Sequence, residues 1–262
     1  MRAVGVHADA VVAVSGFWQT TSTALRAGEE AFLIDSPVLP AELEALPSLL
    51  AQAAFPQLQG LLVTHADWDH LLGRYAFPDA SIGCGESTAQ RLRAEPGAAQ
   101  RELRAFDDEH YVERPGPLGL AGAQPLPVPG QCELGNQTLE LHPTPGHTAD
   151  GMAIHAPWAE LLCCGDYLSP VEIPWLSPGG SVAAYRETLE RLRGLVERVR
   201  TVVPGHGPPL SREDALVVLA EDVAYLGALE RDGADARLPD GRRSPAQRKI
   251  HAENVGRVHA GA

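Results

Sequence analysis

A short polar run behind a largely apolar segment constrains this chain more than any other feature. Residues 58–63 suit a buried strand, and residues 64–70 continue as Thr-His-Ala-Asp-Trp-Asp-His. Two imidazoles and two carboxylates so close together are the groups that bind Zn²⁺ and related divalent ions in proteins. Taken alone, the run fits two interpretations, a metal-binding loop or a solvated loop rich in Asp and His.

Three later segments have the same construction, an apolar stretch that ends in a turn beside a His or Asp. The turns read Pro-Gly-His at residues 145–147, Gly-Asp at residues 165–166 and Pro-Gly-His-Gly at residues 204–207. Gly and Pro supply turns that point a following side chain into a cleft at a sheet edge. Four such segments together predict one metal site. Its candidate ligands are His65, Asp67, Asp69, His70, His147, Asp166 and His206.

In order and spacing, these segments resemble the motifs of metallo-β-lactamase-fold hydrolases, with the glyoxalase II and lactonase branch as the nearest match. The resemblance covers nearly the whole chain, up to about residue 210. It implies an α/β (α+β) fold, an αββα sandwich of two mixed β-sheets flanked by helices. It also implies two metal groups, one with His65, Asp67 and His147, the other with Asp69, His70 and His206. Asp166 would bridge the two ions.

Asp67 departs from the family pattern, which has a second His at this position. A carboxylate can bind metal, but its charge makes the site less positive and favours harder ions such as Mn²⁺ or Fe²⁺. The alternative is that Asp67 misses the metal and leaves a single-metal site. If Asp67 is a ligand, the sequence alone predicts that Asp67→His raises metal affinity or the rate of ester hydrolysis.

The resemblance implies a metal-dependent hydrolase that uses a hydroxide held between two divalent ions to attack a small ester, thioester or lactone. Zn is the favoured metal, with Mn or Fe as alternatives, and Asp69 is the residue expected to orient the hydroxide and accept its proton. Two other functions stay open, a mononuclear iron enzyme like the persulfide dioxygenases and a metal-binding protein of reduced activity. Trp68, Tyr167 and Trp175 are candidate substrate contacts, although each also suits packing.

Net charge, apolar runs and cysteine spacing indicate which binding partners and which location to expect. The chain has 262 residues and a net charge of −13, which disfavours a general nucleic-acid surface and leaves a small-molecule substrate as the expected partner. No apolar run is long enough to span a membrane. The four cysteines lack Cys-x-x-Cys spacing and are expected to be reduced, which favours a cytoplasmic protein. The oligomeric state stays open.

The chain is expected to form one catalytic domain over residues 1–240, with a C-terminal helix over residues 241–262 that packs on it. This last segment is basic and fits two roles, docking on the acidic body or forming a lid. The pattern also predicts a strand within residues 4–14 and a helix over residues 40–54 that Pro47 kinks. Residues 107–130 are rich in Pro and Gly and predict a surface excursion.

Overall fold

The computed structural model describes residues 1–260 and contains two mixed β-sheets packed face to face, with helices on both outer sides. The predicted αββα sandwich is therefore confirmed. The first sheet has seven strands in sequential order. They are β1 Arg2–His7, β2 Ala10–Val14, β3 Thr21–Ala27, β4 Glu30–Ile34, β5 Leu58–Val63, β6 Ser81–Gly85 and β7 Gln124–Leu126.

The second sheet has six strands, in the order β13-β12-β11-β10-β9-β8. They are β8 Gly130–Leu134, β9 Gln137–Pro143, β10 Met152–Ala156, β11 Leu161–Cys163, β12 Thr201–Val203 and β13 Leu210–Ser211. Strand β10 is antiparallel to both β9 and β11, and β11 is parallel to β12. The carboxyl ends of β9, β11 and β12 therefore meet at one edge of this sheet.

In the described part of the chain, seven α-helices cover the sheets. They are α1 Pro40–Gln52, α2 Gly73–Ala76, α3 Glu86–Ala94, α4 Ala98–His110, α5 Val182–Val196, α6 Arg212–Asp232 and α7 Pro245–Ala260. Side chains from both sheets form an apolar layer between them, which includes Val12, Leu25, Leu139 and Ile154. Two outer layers join the first sheet to α1–α4 and the second sheet to α5–α7. Within residues 1–260, no helix combines the length and apolar character needed to cross a membrane.

Three local expectations differ from the structure. Residues 4–14 belong to a hairpin of two strands rather than one strand, because a turn at Ala8-Asp9 reverses the chain. Helix α1 ends at Gln52 rather than at residue 54, with Pro47 inside it. The expected excursion is shorter than residues 107–130, since α4 extends to His110 and β8 begins at Gly130.

The C-terminal helix docks on the body through polar side chains. Gln247 accepts a hydrogen bond from the backbone N–H of Ile173 at 2.7 Å, and Asn254 accepts one from that of Leu176 at 2.8 Å. The Asn254 amide also donates to the carbonyl of Pro174 at 2.7 Å. These bonds hold the loop that follows Asp166, so the structure favours docking over a lid for residues 245–260.

Candidate metal centre

The predicted ligands gather where strands of both sheets end. His65 lies two residues after β5, and His147 lies four residues after β9. Asp166 and His206 each lie three residues after a strand, β11 and β12 respectively. Because these strand ends meet at one edge of the sandwich, residues far apart in sequence come within a few ångströms. Asp69 and His70 enter the same space from a 3₁₀ turn, Trp68–His70.

The first group contains His65, Asp67 and His147, as the resemblance implied. Oδ2 of Asp67 lies 3.2 Å from Nε2 of His147 and 3.6 Å from Nε2 of His65. Ligand atoms of all three side chains lie within 4.8 Å of one another, which is close enough for one cation. Asp67 therefore lies with the other two candidate ligands of this group, and its binding to a metal stays a prediction.

The second group contains Asp69, His70 and His206. Oδ2 of Asp69 lies 3.4 Å from Nε2 of His206 and 3.7 Å from Nε2 of His70. These ligand atoms also fall within 4.8 Å of one another. The structure therefore brings together a second set of two imidazoles and one carboxylate.

Asp166 lies between the two groups and contacts both. Its Oδ2 is 3.4 Å from Nε2 of His147 and 3.4 Å from Nε2 of His206, and its Oδ1 is 3.1 Å from Nε2 of His70. Despite these short distances, Oδ1 of Asp166 and the Nε2 atoms of His65 and His70 are buried and have no partner in hydrogen-bond geometry within residues 1–260. Buried polar atoms are rarely left unpaired, so this cluster fits a bound cation. A side chain at Gly205 would collide with Asp166, which explains the glycine in that turn.

Each of three imidazoles is oriented by a bond from its other ring nitrogen. Nδ1 of His70 lies 3.0 Å from Oδ2 of Asp35, and Nδ1 of His147 lies 2.8 Å from the carbonyl oxygen of Trp175. Nδ1 of His206 lies 3.1 Å from the carbonyl oxygen of Trp18. Such bonds fix the tautomer and aim Nε2 at the centre, as in metal-binding histidines generally.

The side chains of the centre hold one another in charged forms. Burial alone would lower the pKa of His147, but Asp67 and Asp166 raise it to about 9. Burial acts the same way on His206, and the charges of Glu172 and Asp166 raise its pKa to about 10. Burial would raise the pKa of Asp67, yet bonds from His147 and His65 keep it well below the usual range. A cation that binds here must therefore displace protons.

In the structure, the three predicted substrate contacts orient a ligand of the centre or pack in the core. Tyr167 is buried, and its hydroxyl accepts a hydrogen bond from the backbone N–H of His147 at 2.9 Å. Trp175 orients His147 through its carbonyl, while its indole N–H donates to Glu253 at 3.0 Å. Trp68 is only 8% exposed and packs against Phe106, with ring centroids 4.8 Å apart. A role for these residues in substrate contact stays a prediction.

Four residues of the centre escaped the sequence patterns. Asp35 follows strand β4 directly, which is the same signal that identified the ligands, so the pattern could have found it. Trp18 is 45% exposed beside the second group, and its ring lies 5.7 Å from that of Trp68. Arg91 and Asp150 form an ion pair at 2.9 Å beside the first group. Arg91 lies inside a helix, where nothing in the local sequence marks it.

Comparison with known proteins gives the family. A model of the metallo-beta-lactamase superfamily matches residues 15–206, which is most of the chain and includes every predicted ligand. This chain therefore belongs to the metallo-beta-lactamase superfamily.

Solved structures support the same fold. A metallo-beta-lactamase family protein from Thermus thermophilus, TTHA1429, has a TM-score of 0.69 and 21% identity, covering 98% of this chain and 96% of that one. TTHA1623 in a di-iron-bound form has a TM-score of 0.61 and 23% identity, covering 78% of this chain and 96% of that one. At these identities the likeness shows the fold alone.

Two curated proteins match part of the chain. Acyl-coenzyme A thioesterase MBLAC2 of Bos taurus and of Homo sapiens is 28% identical over 157 residues, which is 55% of this chain and 54% of each relative. The chain thus spans about half the length of the curated relatives it matches.

Proposed function

We propose that this superfamily member is a dinuclear metallohydrolase that cleaves a small ester, thioester or lactone, with an acyl thioester as the first substrate to test. One observation carries the proposal. Two groups, each of two imidazoles and one carboxylate, face each other across a single carboxylate, Asp166. Similarity to an acyl-coenzyme A thioesterase supports the thioester as the first choice.

The residues fit two divalent cations. His65, Asp67 and His147 would hold one, Asp69, His70 and His206 would hold the other, and Asp166 would contact both. Two such ions supply a water activated near neutral pH and a Lewis acid for the substrate carbonyl. We favour Zn²⁺ for the imidazole-rich groups, with Mn²⁺ or Fe²⁺ as alternatives that a carboxylate ligand also suits.

Asp69 is the proposed proton acceptor. Its Oδ2 faces the Nε2 atoms of His206 and His70, which leaves Oδ1 to accept a proton from the attacking water. Asp35 would hold His70 in the tautomer whose Nε2 faces Asp166. The loop of Trp175 would do the same for His147. These residues orient the reacting groups, so their effect is on geometry and protonation.

Trp18 is the proposed contact for an apolar part of the substrate. Its side chain is 45% exposed although it packs beside Phe17, Trp68 and Phe106. Its carbonyl oxygen lies 3.1 Å from Nδ1 of His206, so the residue stands directly at the second group. A large apolar side chain left partly open beside a polar centre suits an acyl or aromatic group.

The mononuclear iron alternative receives less support. A first group of low metal occupancy would favour it, whereas Asp67 lies with His65 and His147 close enough for all three to hold one cation. We also propose a cytoplasmic location, which is supported by four free thiols, three of them buried. Recovery of the protein in a reducing compartment of its source cell would test the location.

The test is hydrolysis by metal-loaded protein of acyl-coenzyme A thioesters, p-nitrophenyl esters and lactones. Chelation should abolish turnover, and added Zn²⁺ or Mn²⁺ should restore it. Asp69→Asn should lower kcat by about 10²-fold or more, the usual contribution of a general base. Asp79→Asn is the matched control, because Asp79 is exposed and precedes the opposite, amino end of β6. Failure to cleave any of these substrates, or oxygen uptake with a persulfide, would contradict the proposal.

A further inference from the structure

Arg91 joins the side chain of one proposed ligand to a second carboxylate. Its Nη2 lies 2.8 Å from Oδ1 of Asp67, and its Nη1 lies 2.9 Å from Oδ1 of Asp150. Oδ2 of Asp150 in turn accepts a hydrogen bond from the backbone N–H of Ala66 at 3.0 Å. The loop before Asp67 and the side chain of Asp67 are therefore fixed by one clamp.

The two oxygens of the Asp67 carboxylate have different partners. Oδ1 is engaged by Arg91, while Oδ2 faces Nε2 of His147 and Nε2 of His65. Arg91 is a side chain only 20% exposed, and a buried ion pair is weakly screened by salt. A cation held by the first group would thus meet a carboxylate whose charge is already paired.

We propose that Arg91 sets the charge of the first metal group by offsetting one of its two carboxylate partners, so that Asp67, Arg91 and Asp150 together carry a net charge of −1. Without Arg91 the same set of side chains would carry −2. Arg91 is a positioning residue, since it acts on the cation through Asp67. The inference rests on the proposed function only in requiring that the first group binds a divalent cation.

The charge count around the centre agrees with this role. The centre and its immediate partners contain five carboxylates: Asp35, Asp67, Asp69, Asp150 and Asp166. Among residues 1–260, Arg91 is the only Lys or Arg side chain within 4.0 Å of any of them. With neutral imidazoles, these five carboxylates and one guanidinium carry a net charge of −4, and the charge of Glu172 near His206 adds to it, so the centre is negative enough to hold two divalent cations.

This pairing reverses the expectation drawn from the sequence alone for Asp67→His. The substitution removes the charge of Asp67, so the net charge of positions 67, 91 and 150 rises from −1 to 0, and loss of Arg91 from that variant returns it to −1. A change of one unit charge roughly 6 Å from a divalent cation alters affinity by about tenfold even at the dielectric constant of water. We therefore expect Asp67→His to weaken metal binding rather than to strengthen it.

The experiment measures zinc affinity by competition with a chromophoric chelator, so it needs no substrate. Wild type, Asp67→His and the double variant Asp67→His/Arg91→Met are compared. Asp67→His should bind its weaker zinc about tenfold less tightly or worse, and the double variant should return to within about threefold of wild type. If Arg91 served only to position the Asp67 side chain, its loss from the Asp67→His variant would not restore zinc affinity, because a histidine at position 67 has no carboxylate for Arg91 to hold.

Two further variants separate charge from shape. Arg91→Lys keeps the charge and should leave zinc affinity within about threefold of wild type. Asp67→His/Arg91→Gln replaces the methionine variant if that one fails to fold, as judged by circular dichroism. A double variant that binds no tighter than Asp67→His, or a lysine variant as weak as Asp67→His, would overturn the proposal. If zinc affinity recovers but the protein hydrolyses none of the substrates, the inference about Arg91 holds and only the proposed hydrolase function is contradicted.

Discussion

Replacement of Arg242 by methionine should destabilise the protein sharply. Arg242 is 1% exposed and pairs with Asp222 at 2.5 Å, with Glu221 at 2.8 Å, and with the carbonyl oxygens of Ser169 and Glu172 at 3.1 and 2.9 Å. Burial raises the pKa of Asp222 to about 7, although the Arg242 guanidinium opposes this rise. Without Arg242, Asp222 must be buried as an unpaired charge or take up a proton.

The magnitude follows from the buried pair. Removal of one partner of such a pair costs about 3–5 kcal/mol, since the remaining charge is uncompensated. For a chain of this size, each kcal/mol lowers the melting temperature by about 2 °C, so Arg242→Met should melt about 6–10 °C lower. The loss should shrink as the pH falls and Asp222 becomes protonated.

Urea unfolding in the presence of a chelator measures this loss without a contribution from metal. Arg243→Met is the matched control, because Arg243 is a neighbouring surface arginine that pairs only with exposed groups. Asp222→Leu/Arg242→Met removes both charges and should recover at least about 2 kcal/mol. A loss below about 1 kcal/mol for the single variant, or a double variant no more stable than the single one, would refute the reasoning.

Three shorter predictions concern the centre and the thiols. The chelated protein should lose stability as pH rises from about 6.5, the usual histidine value, through about 9 and 10, because His147 and His206 have raised pKa values in the folded state only. Melting curves across this range check it, and a flat profile would contradict it. Tyr167→Phe should cost about 1–3 kcal/mol in unfolding and weaken metal binding, since the buried N–H of His147 loses its acceptor. A thiol reagent should label only Cys132 in the folded protein, because the other three cysteines are buried; rapid labelling of more than one thiol would contradict this burial.

The sandwich was predicted from the family resemblance, whereas the gathering of ligands was predicted for a physical reason. An apolar strand followed by Gly or Pro delivers the next side chain to a sheet edge, and the sequence shows this pattern directly at His147, Asp166 and His206. The helix over residues 212–232 also has a local sequence signal, since the Ser211 hydroxyl accepts a hydrogen bond from the backbone N–H of Asp214 at its start. Local chemistry and the family pattern therefore carried most of the fold.

The partners of the ligands were not readable in this way. Arg91 meets Asp67 across 24 positions of sequence, and its helix gives no sign of which side chain it will face. Arg242 belongs to the basic segment over residues 241–262, yet it is among the most buried side chains of residues 1–260. Both are charged residues whose burial depends on a distant carboxylate, so only the three-dimensional arrangement reveals them.

Zinc stoichiometry tests the central claim, that the two groups form one dinuclear centre. Metal analysis after dialysis should find about two Zn²⁺ per chain, and His147→Asn and His206→Asn should each lower this to about one. His142→Asn is the control, because Glu140, His142 and His155 form a separate cluster able to hold a metal ion. That variant should keep both ions. A wild-type value near one or zero, or unchanged zinc in both centre variants, would contradict the account.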